Sequence, residues 1–272
     1  YAFESKYLLE VASRWDASVN FAKQYRWDMF PGLGLGWVVS QENFFKENLP
    51  IVNFFKLKYS VGRTGNDRLP SRADGRPSLL SFPYLRTYEM SKDPVYVIGG
   101  SPVNSIYTSS QPNPELKWET STTHNIGFES QWWENKFGFD LEFFHRFTTD
   151  ILNPASGIFP PTMGGYYPSV FNDGEMLNRG IDAQLRYNDQ INDFKYTITG
   201  NFNWAKNKII AMRESENLPE WQRRVGRSHG EKLGFVVDGI YQTWEETKDA
   251  VSPSGGVVAP GFYKYRDLNN DG

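Results

Sequence analysis

Phe137-Gly138-Phe139-Asp140-Leu141-Glu142-Phe143-Phe144-His145-Arg146-Phe147-Thr148 places Phe, Phe, Leu, Phe, His and Phe at odd positions and Gly, Asp, Glu, Phe, Arg and Thr at even ones. Side chains of a strand alternate faces with period two, so one face is apolar and aromatic and the other carries charge. A run of about ten to twelve such residues is longer than an ordinary soluble strand and suits a tilted, membrane-crossing one. The stretch follows a strand-like segment, Glu119 to Trp132, across the short turn Trp133-Glu134-Asn135-Lys136.

The next pair repeats the pattern. Ile181, Ala183, Leu185 and Tyr187 alternate with Asp182, Gln184, Arg186 and Asn188; after a short turn over residues 189–193, Phe194, Tyr196, Ile198, Gly200, Phe202 and Trp204 alternate with Lys195, Thr197, Thr199, Asn201 and Asn203. A soluble sandwich also alternates, so the period does not choose the environment. The polar face does, because charge and amide run along its whole length, as a wet lumen requires. Between the strand pairs lie Pro/Gly/Asn-rich stretches, residues 148–178 and 207–232. Structureless loops this long are uncommon in compact soluble domains, whereas outer-membrane barrels pair short periplasmic turns with long external loops. The expected fold is therefore all-β: part of an antiparallel transmembrane β-barrel with long extracellular loops.

Composition agrees. At 272 residues and 39% hydrophobic the chain can fill a core, and its aromatic content of 16% suits strands, membrane interfaces and sugar-binding surfaces. The absence of eighteen consecutive apolar residues excludes a helical span but not a barrel. Without cysteine there is no disulfide, thiolate metal site or cysteine nucleophile. A net charge of -3 with scattered Lys and Arg argues against nucleic acid as a partner. No export signal opens the chain at Tyr1, and it stops inside a turn-rich motif at Gly272, so we expect an internal piece of a longer protein.

Further strands are expected at Lys6 to Arg14, through Leu33, Leu35, Trp37 and Val39, through Phe55, Leu57, Tyr59 and Val61, and at Leu233 to Tyr241. Residues 63–116 form the longest irregular region, with a short hairpin near Tyr96. Gly32, Gly34 and Gly36 superficially suggest a phosphate loop. No Lys-Ser or Lys-Thr follows and no helix opens after them, so glycine on the inner face of a curved strand is the better account.

Several residue groups invite a site. Asp140, Glu142, Asp182 and Arg186 fall on the charged face and are expected to line the lumen. Asp140 and Glu142, two apart and roughly 6 to 7 Å along a strand, have the spacing of a glycosidase pair, but nothing nearby shapes a catalytic site. We therefore expect no enzyme. Asp267, Asn269 and Asp271 before Gly272 match the opening of a calcium loop, and an Asx turn uses the same residues without metal. Tyr84, Tyr88, Tyr96, Tyr107, Tyr166 and Tyr167 in the long loops could stack on sugar rings, meet a capping partner or pack on their own loops. His124, His145 and His229 lack zinc-motif spacing; His124 and His145 suit interfacial positions. Trp132, Trp133 and Phe137 around one short turn, with Phe54 and Phe55 near another, read as a periplasmic aromatic girdle.

In order along the chain, Lys6-Tyr7-Leu8-Leu9, Arg14-Trp15-Asp16-Ala17-Ser18, Phe30-Pro31, Gly36-Trp37, Lys56 to Gly62 and Thr64-Gly65-Asn66-Asp67 are followed by Asn113 to Thr120, Thr149-Asp150-Ile151-Leu152, Asn178 to Asp182, Asn207-Lys208-Ile209, Asp238-Gly239-Ile240-Tyr241-Gln242, Pro260-Gly261 and Asp267 to Gly272. This series resembles the SusC-like (RagA-type) branch of TonB-dependent outer-membrane transporters. Asp16-Ala17-Ser18 departs from the Asp-Gly-Ser usual there. The resemblance implies that residues 1–272 are a middle-to-late part of a receptor barrel of ~22 strands, with plug, signal peptide and closing strands outside the chain. It further implies a Gram-negative outer membrane, import of oligosaccharides or peptides, a SusD-type surface lipoprotein and energy from the TonB complex. The rival from the residues themselves is a secreted, soluble β-sandwich that binds carbohydrate.

Overall fold

The computed structural model describes residues 1–70, 82–108, 111–154, 159–164, 166–248, 250 and 255–268. Two compact units divide the chain, Tyr1–His229 and Gly230–Gly272.

The first unit is built on one eight-stranded antiparallel sheet. In chain order its strands are β1 (Ala2–Phe3), β2 (Tyr7–Ala17), β3 (Trp27–Val38) and β4 (Val52–Asn66), then, after four short strands, β9 (Glu119–Trp132), β10 (Phe137–Pro154), β11 (Val170–Ile191) and β12 (Phe194–Ala211). The short strands β5 (Glu89–Met90), β6 (Tyr96–Ile98), β7 (Ser101–Val103) and β8 (Ile106–Tyr107) pair β5 with β8 and β6 with β7. Each long strand hydrogen-bonds to its neighbours in sequence, except that β4 meets β9 across the small hairpins. Among the described residues the outer edges of β1 and β12 have no strand partner.

Directly opposed residues of an antiparallel pair share a face, so the registers connect into rows. One row runs Leu9, Leu35, Tyr59, Ile126, Phe143, Ile181, Trp204 across seven strands. Its neighbour toward the short turns runs Tyr7, Trp37, Leu57, Phe128, Leu141, Ala183, Phe202. The opposite face carries Lys58, Gly127, Glu142, Asp182, Asn203. Ile126, Phe143, Leu185, Ile198 and Phe202 of the apolar face are all exposed. No second layer covers them among the described residues, which sets the sandwich aside and is the surface a lipid-facing sheet presents.

The connections alternate as expected. Residues 133–136 and 192–193 make tight turns, with Trp133, Glu134, Asn135 and Asn192 in the left-handed region. Of the other two connections at that end, residues 4–6 form the β1–β2 turn and the longer one holds a short 3-10 turn, Val39–Gln41, and α1 (Asn43–Asn48). At the opposite end lie, among the described residues, 18–26, 67–70, 82–108, 111–118, 159–164 and 166–169. Gly99 and Gly100 both take positive φ in the hairpin between Ile98 and Ser101, the conformation a two-residue turn demands.

The structure corrects the strand limits. β2 begins at Tyr7 and continues to Ala17, beyond Arg14. β10 runs on to Pro154 and β11 starts at Val170, so both ends of the stretch expected as loop from residue 148 to 178 are strand. β11 has 22 residues, about twice what crosses a bilayer. Hydrophobic alternation signals only the portion in lipid; beyond it the polar residues Thr149, Asn153 and Asn172 keep pairing. Asp150, at positive φ inside a register shift, marks the bulge where the pattern breaks.

In the second unit the strand expected at Leu233 to Tyr241 shrinks to β13 (Val237–Ile240), paired with β14 (Tyr263–Tyr265). Arg266 donates from Nε and Nη2 to the Asp238 carboxylate at 2.6–3.1 Å and pins the pair. That guanidinium, by its hydrogen bonds first and its charge second, holds Asp238 below the usual carboxylate range.

Candidate lumen and loop surface

On the polar face, Gly127 lies between Lys58 and Glu142 in one row. Since glycine raises no side chain there, Lys58 Nζ reaches across to Glu142 Oε2 at 2.8 Å and to Glu129 Oε1 at 3.5 Å. Lys56 Nζ approaches the other Glu129 oxygen at 3.8 Å. The next positions extend the lattice: Asp182 accepts from Asn203, Arg186 Nη2 donates to Gln184 Oε1 at 2.9 Å, and Gln184 Nε2 donates to Asn201 at 2.9 Å. Asp140 sits opposite Gln184 and Glu129, one row from the Glu142 pair. Glu142, held by Lys58, is thus one end of an ion bridge. All four residues expected at the lumen lie on this face, and the structure brings Glu142 and Asp182 directly opposite each other.

Glycine also shapes the same face elsewhere. Gly32, Gly34 and Gly36 lie within β3, where the stem of Lys56 passes 3.3 Å from the place a Gly36 Cβ would take. The Phe144 ring covers Gly180, 2.6 Å from its absent Cβ, an aromatic filling the gap that a glycine leaves in a sheet.

At the long-loop end Phe21, Phe30, Leu116, Trp118, Leu152 and Val170 form a buried cluster. Phe21 and Phe30 approach Trp118 at 5.6 and 5.4 Å between centroids, and Trp118 Nε1 donates to the Arg26 carbonyl at 3.0 Å. Loops are tied to one another above it. Gln111 N donates to the Tyr167 carbonyl at 3.3 Å, Asn113 Nδ2 to the Val170 carbonyl at 2.9 Å, and Ser18 Oγ to Asp67 at 2.6 Å.

The six loop tyrosines divide. Tyr88, Tyr96, Tyr107 and Tyr166 are exposed; Tyr107 sits on β8 opposite Glu89, and Tyr96 on β6 in the other hairpin. Tyr167 instead stacks on Phe159 at 4.6 Å, and Tyr84 packs on Phe82 at 6.1 Å. Of the calcium-loop residues, Asn269 and Asp271 lie outside the described residues. His124 accepts or donates at Nδ1 to Tyr59 Oη at 2.9 Å and stands opposite His145 on the apolar face.

The short-turn end carries an aromatic chain, Trp132, Trp133, Phe137, Tyr187, Tyr196 and Phe194, with successive rings 4.7–6.1 Å apart. Nearby, Glu42 gathers a clamp: Tyr7 Oη donates to Oε1 at 2.9 Å, Trp37 Nε1 to the same oxygen at 3.3 Å, and Lys6 Nζ to Oε2 at 3.3 Å. The Tyr7 and Trp37 hydrogen bonds hold this carboxyl below its ordinary value.

A family model described as TonB dependent receptor-like, beta-barrel, matches residues 1–270. The chain belongs to that family. TonB-dependent receptor P3 of Formosa agariphila is 27% identical over 286 residues, which covers 100% of this chain and 27% of the relative. TonB-dependent receptor SusC of Bacteroides thetaiotaomicron is 26% identical, covering 89% of this chain and 24% of the relative. The RagAB peptide importer in its open-open state superposes with a TM-score of 0.68 at 22% identity, over 97% of this chain and 27% of the solved one. Its closed-closed state gives 0.67 at 19% identity, over 97% and 29%. These receptors are thus about four times longer than the segment in hand.

Lys56, Lys58 and Glu129 join the expected acids on the polar face. Sequence reading missed them because each strand was read alone. The signal was present as a register: Lys58 and Glu142 meet only once the β4–β9 and β9–β10 pairings are fixed across Gly127. Phe21 and Trp118 were missed for a different reason. They stand in loops, where no periodicity announces burial.

Proposed function

We propose that this chain is a section of an outer-membrane, TonB-dependent active transporter that imports oligosaccharides together with a SusD-type surface lipoprotein. One observation carries the reading: a single sheet with a lipid-ready apolar face on one side and a charged, amide-rich face on the other, in a chain of the receptor-barrel family. The inner wall, with Lys58, Glu142, Asp140, Asp182 and Arg186, is hydrophilic enough to pass a hydrated cargo. Exposed Tyr88, Tyr96, Tyr107 and Tyr166 offer rings for stacking on sugar or for a capping partner. Energy coupling belongs to plug and TonB-contact segments beyond these residues, and the chain performs no chemistry on its cargo. Calcium held by Asp267, Asn269 and Asp271 is part of the same proposal.

Peptide cargo is the second reading, favoured by the likeness to the RagAB peptide importer. Calorimetric titration of the full-length receptor with its lipoprotein, using an oligosaccharide pool and a peptide pool, separates the two. The expected result is heat from the oligosaccharides that falls when Tyr88 and Tyr96 are changed to Ala. Heat from peptides alone would overturn the sugar assignment.

A further inference from the structure

The apolar face is interrupted near its long-loop side by cations. Arg179 on β11 is directly opposite Lys206 on β12, and Leu177 is opposite Lys208, so Lys206 and Lys208 project two residues apart beside Arg179. His145 flanks Arg179 on β10. Arg179, Lys206 and His145 are exposed, and among the described residues none of Arg179, Lys206, Lys208 and His145 has an ion-pair or hydrogen-bond partner. Acids are scarce on this face: Glu175 stands two rows above Arg179, opposite Ala211, and Asp189 lies far off at the short-turn end.

Like charges directly opposite on a sheet destabilise it, by the same scale that opposite charges stabilise it. On a lipid-facing surface the cost grows with depth. Lys206 and Arg179 therefore need an anion between them. Immediately toward the short turns the same strands present Trp204, Ile181 and Phe143, an apolar surface for acyl chains. A headgroup phosphate at the cations with its chains lying over those rings satisfies both halves of the surface.

We infer that Arg179, Lys206 and Lys208, flanked by His145, form a binding site for the phosphate of an anionic lipid in the outer-facing leaflet. A lipid carries the phosphate, rather than a soluble anion, because the cations are continuous with an exposed apolar surface. The inference rests on the membrane-spanning reading; failure of that reading would show separately, as a receptor that stays monodisperse without detergent.

The test is native mass spectrometry of the full-length receptor released from micelles containing equal dimyristoylphosphatidylglycerol and dimyristoylphosphatidylcholine. The wild-type protein is expected to retain the anionic lipid in preference, and R179Q/K206Q/K208Q to lose that preference by at least about tenfold. A control with three loop cations removed, K23Q/R86Q/K92Q, is expected to keep it, as is the conservative R179K. Heat-modifiable gel mobility establishes that each variant is folded. Equal retention of both lipids by the wild type, unchanged preference in the triple variant, or equal loss in the loop control would each overturn the inference.

Discussion

Lys58 Nζ and Glu142 Oε2 stand 2.8 Å apart although their strands are not neighbours; β9 runs between them and contributes only Gly127 to that row. The bridge therefore spans three strands on the polar face with one ion pair. Both side chains are about a third exposed, so its net worth is at most about 1 kcal/mol after screening.

Gly127 is the residue that this arrangement cannot exchange. A Cβ there would fall 2.2 Å from the Leu141 carbonyl oxygen and 2.9 Å from Glu142 Cα, and backbone cannot rotate away. Gly127→Ala is expected to cost about 1–3 kcal/mol by forcing β9 and β10 apart. Gly62→Ala, on the same face with nothing within 4 Å, should be neutral or stabilising by about 0.5–1 kcal/mol. Urea unfolding of the two receptor variants in lipid vesicles compares them.

The two faces should respond oppositely to charge. Ile126, 61% exposed in the middle of the apolar rows, is expected to lose about 2–4 kcal/mol on change to Arg, the scale for a cation near the bilayer midplane. Asn125→Arg, one residue along and on the polar face, should fold within about 1 kcal/mol of the parent. Equal penalties for the two would contradict the assignment of faces.

How much of this was legible in the sequence depends on where a residue sits relative to lipid. From Phe137 to Phe147 and from Ile181 to Trp204 the bilayer enforces alternation, and those strands could be read directly. Past Thr148 nothing enforces it, so the paired extensions of β10 and β11 looked like loop. The polar-face acids were visible one strand at a time, but their partner Lys58 needed the register. The Trp118 cluster gave no periodic signal at all.

Glu42 supplies a pH dependence with a definite sign. Its carboxyl is held below the ordinary value of 4.5 by hydrogen bonds from Tyr7 and Trp37 and by Lys6. A depressed carboxyl stabilises the fold above its unfolded pKa and ceases to do so as pH falls through the lowered one. The receptor should therefore lose thermal stability on the acid side of 4.5, and Glu42→Gln should remove that part of the slope. Melting in detergent between about pH 6 and pH 3 reads the difference.

Trp118 carries the loop-end cluster. Trp118→Ala is expected to cost about 3–5 kcal/mol locally, while Trp118→Phe, which keeps the ring contacts and loses the bond to the Arg26 carbonyl, should cost about 1 kcal/mol. Hydrogen exchange over residues 18–26 should accelerate strongly in the first variant and slightly in the second.

The four small strands between β4 and β9 have a kinetic consequence. Hairpins β2–β3, β3–β4, β9–β10 and β11–β12 close over short spans, but joining β4 to β9 must gather some fifty residues, an entropic penalty of about 2 kcal/mol relative to a four-residue turn. The sheet should thus assemble as two separately zippered halves, with the β4–β9 seam the last to close and the first to part under force.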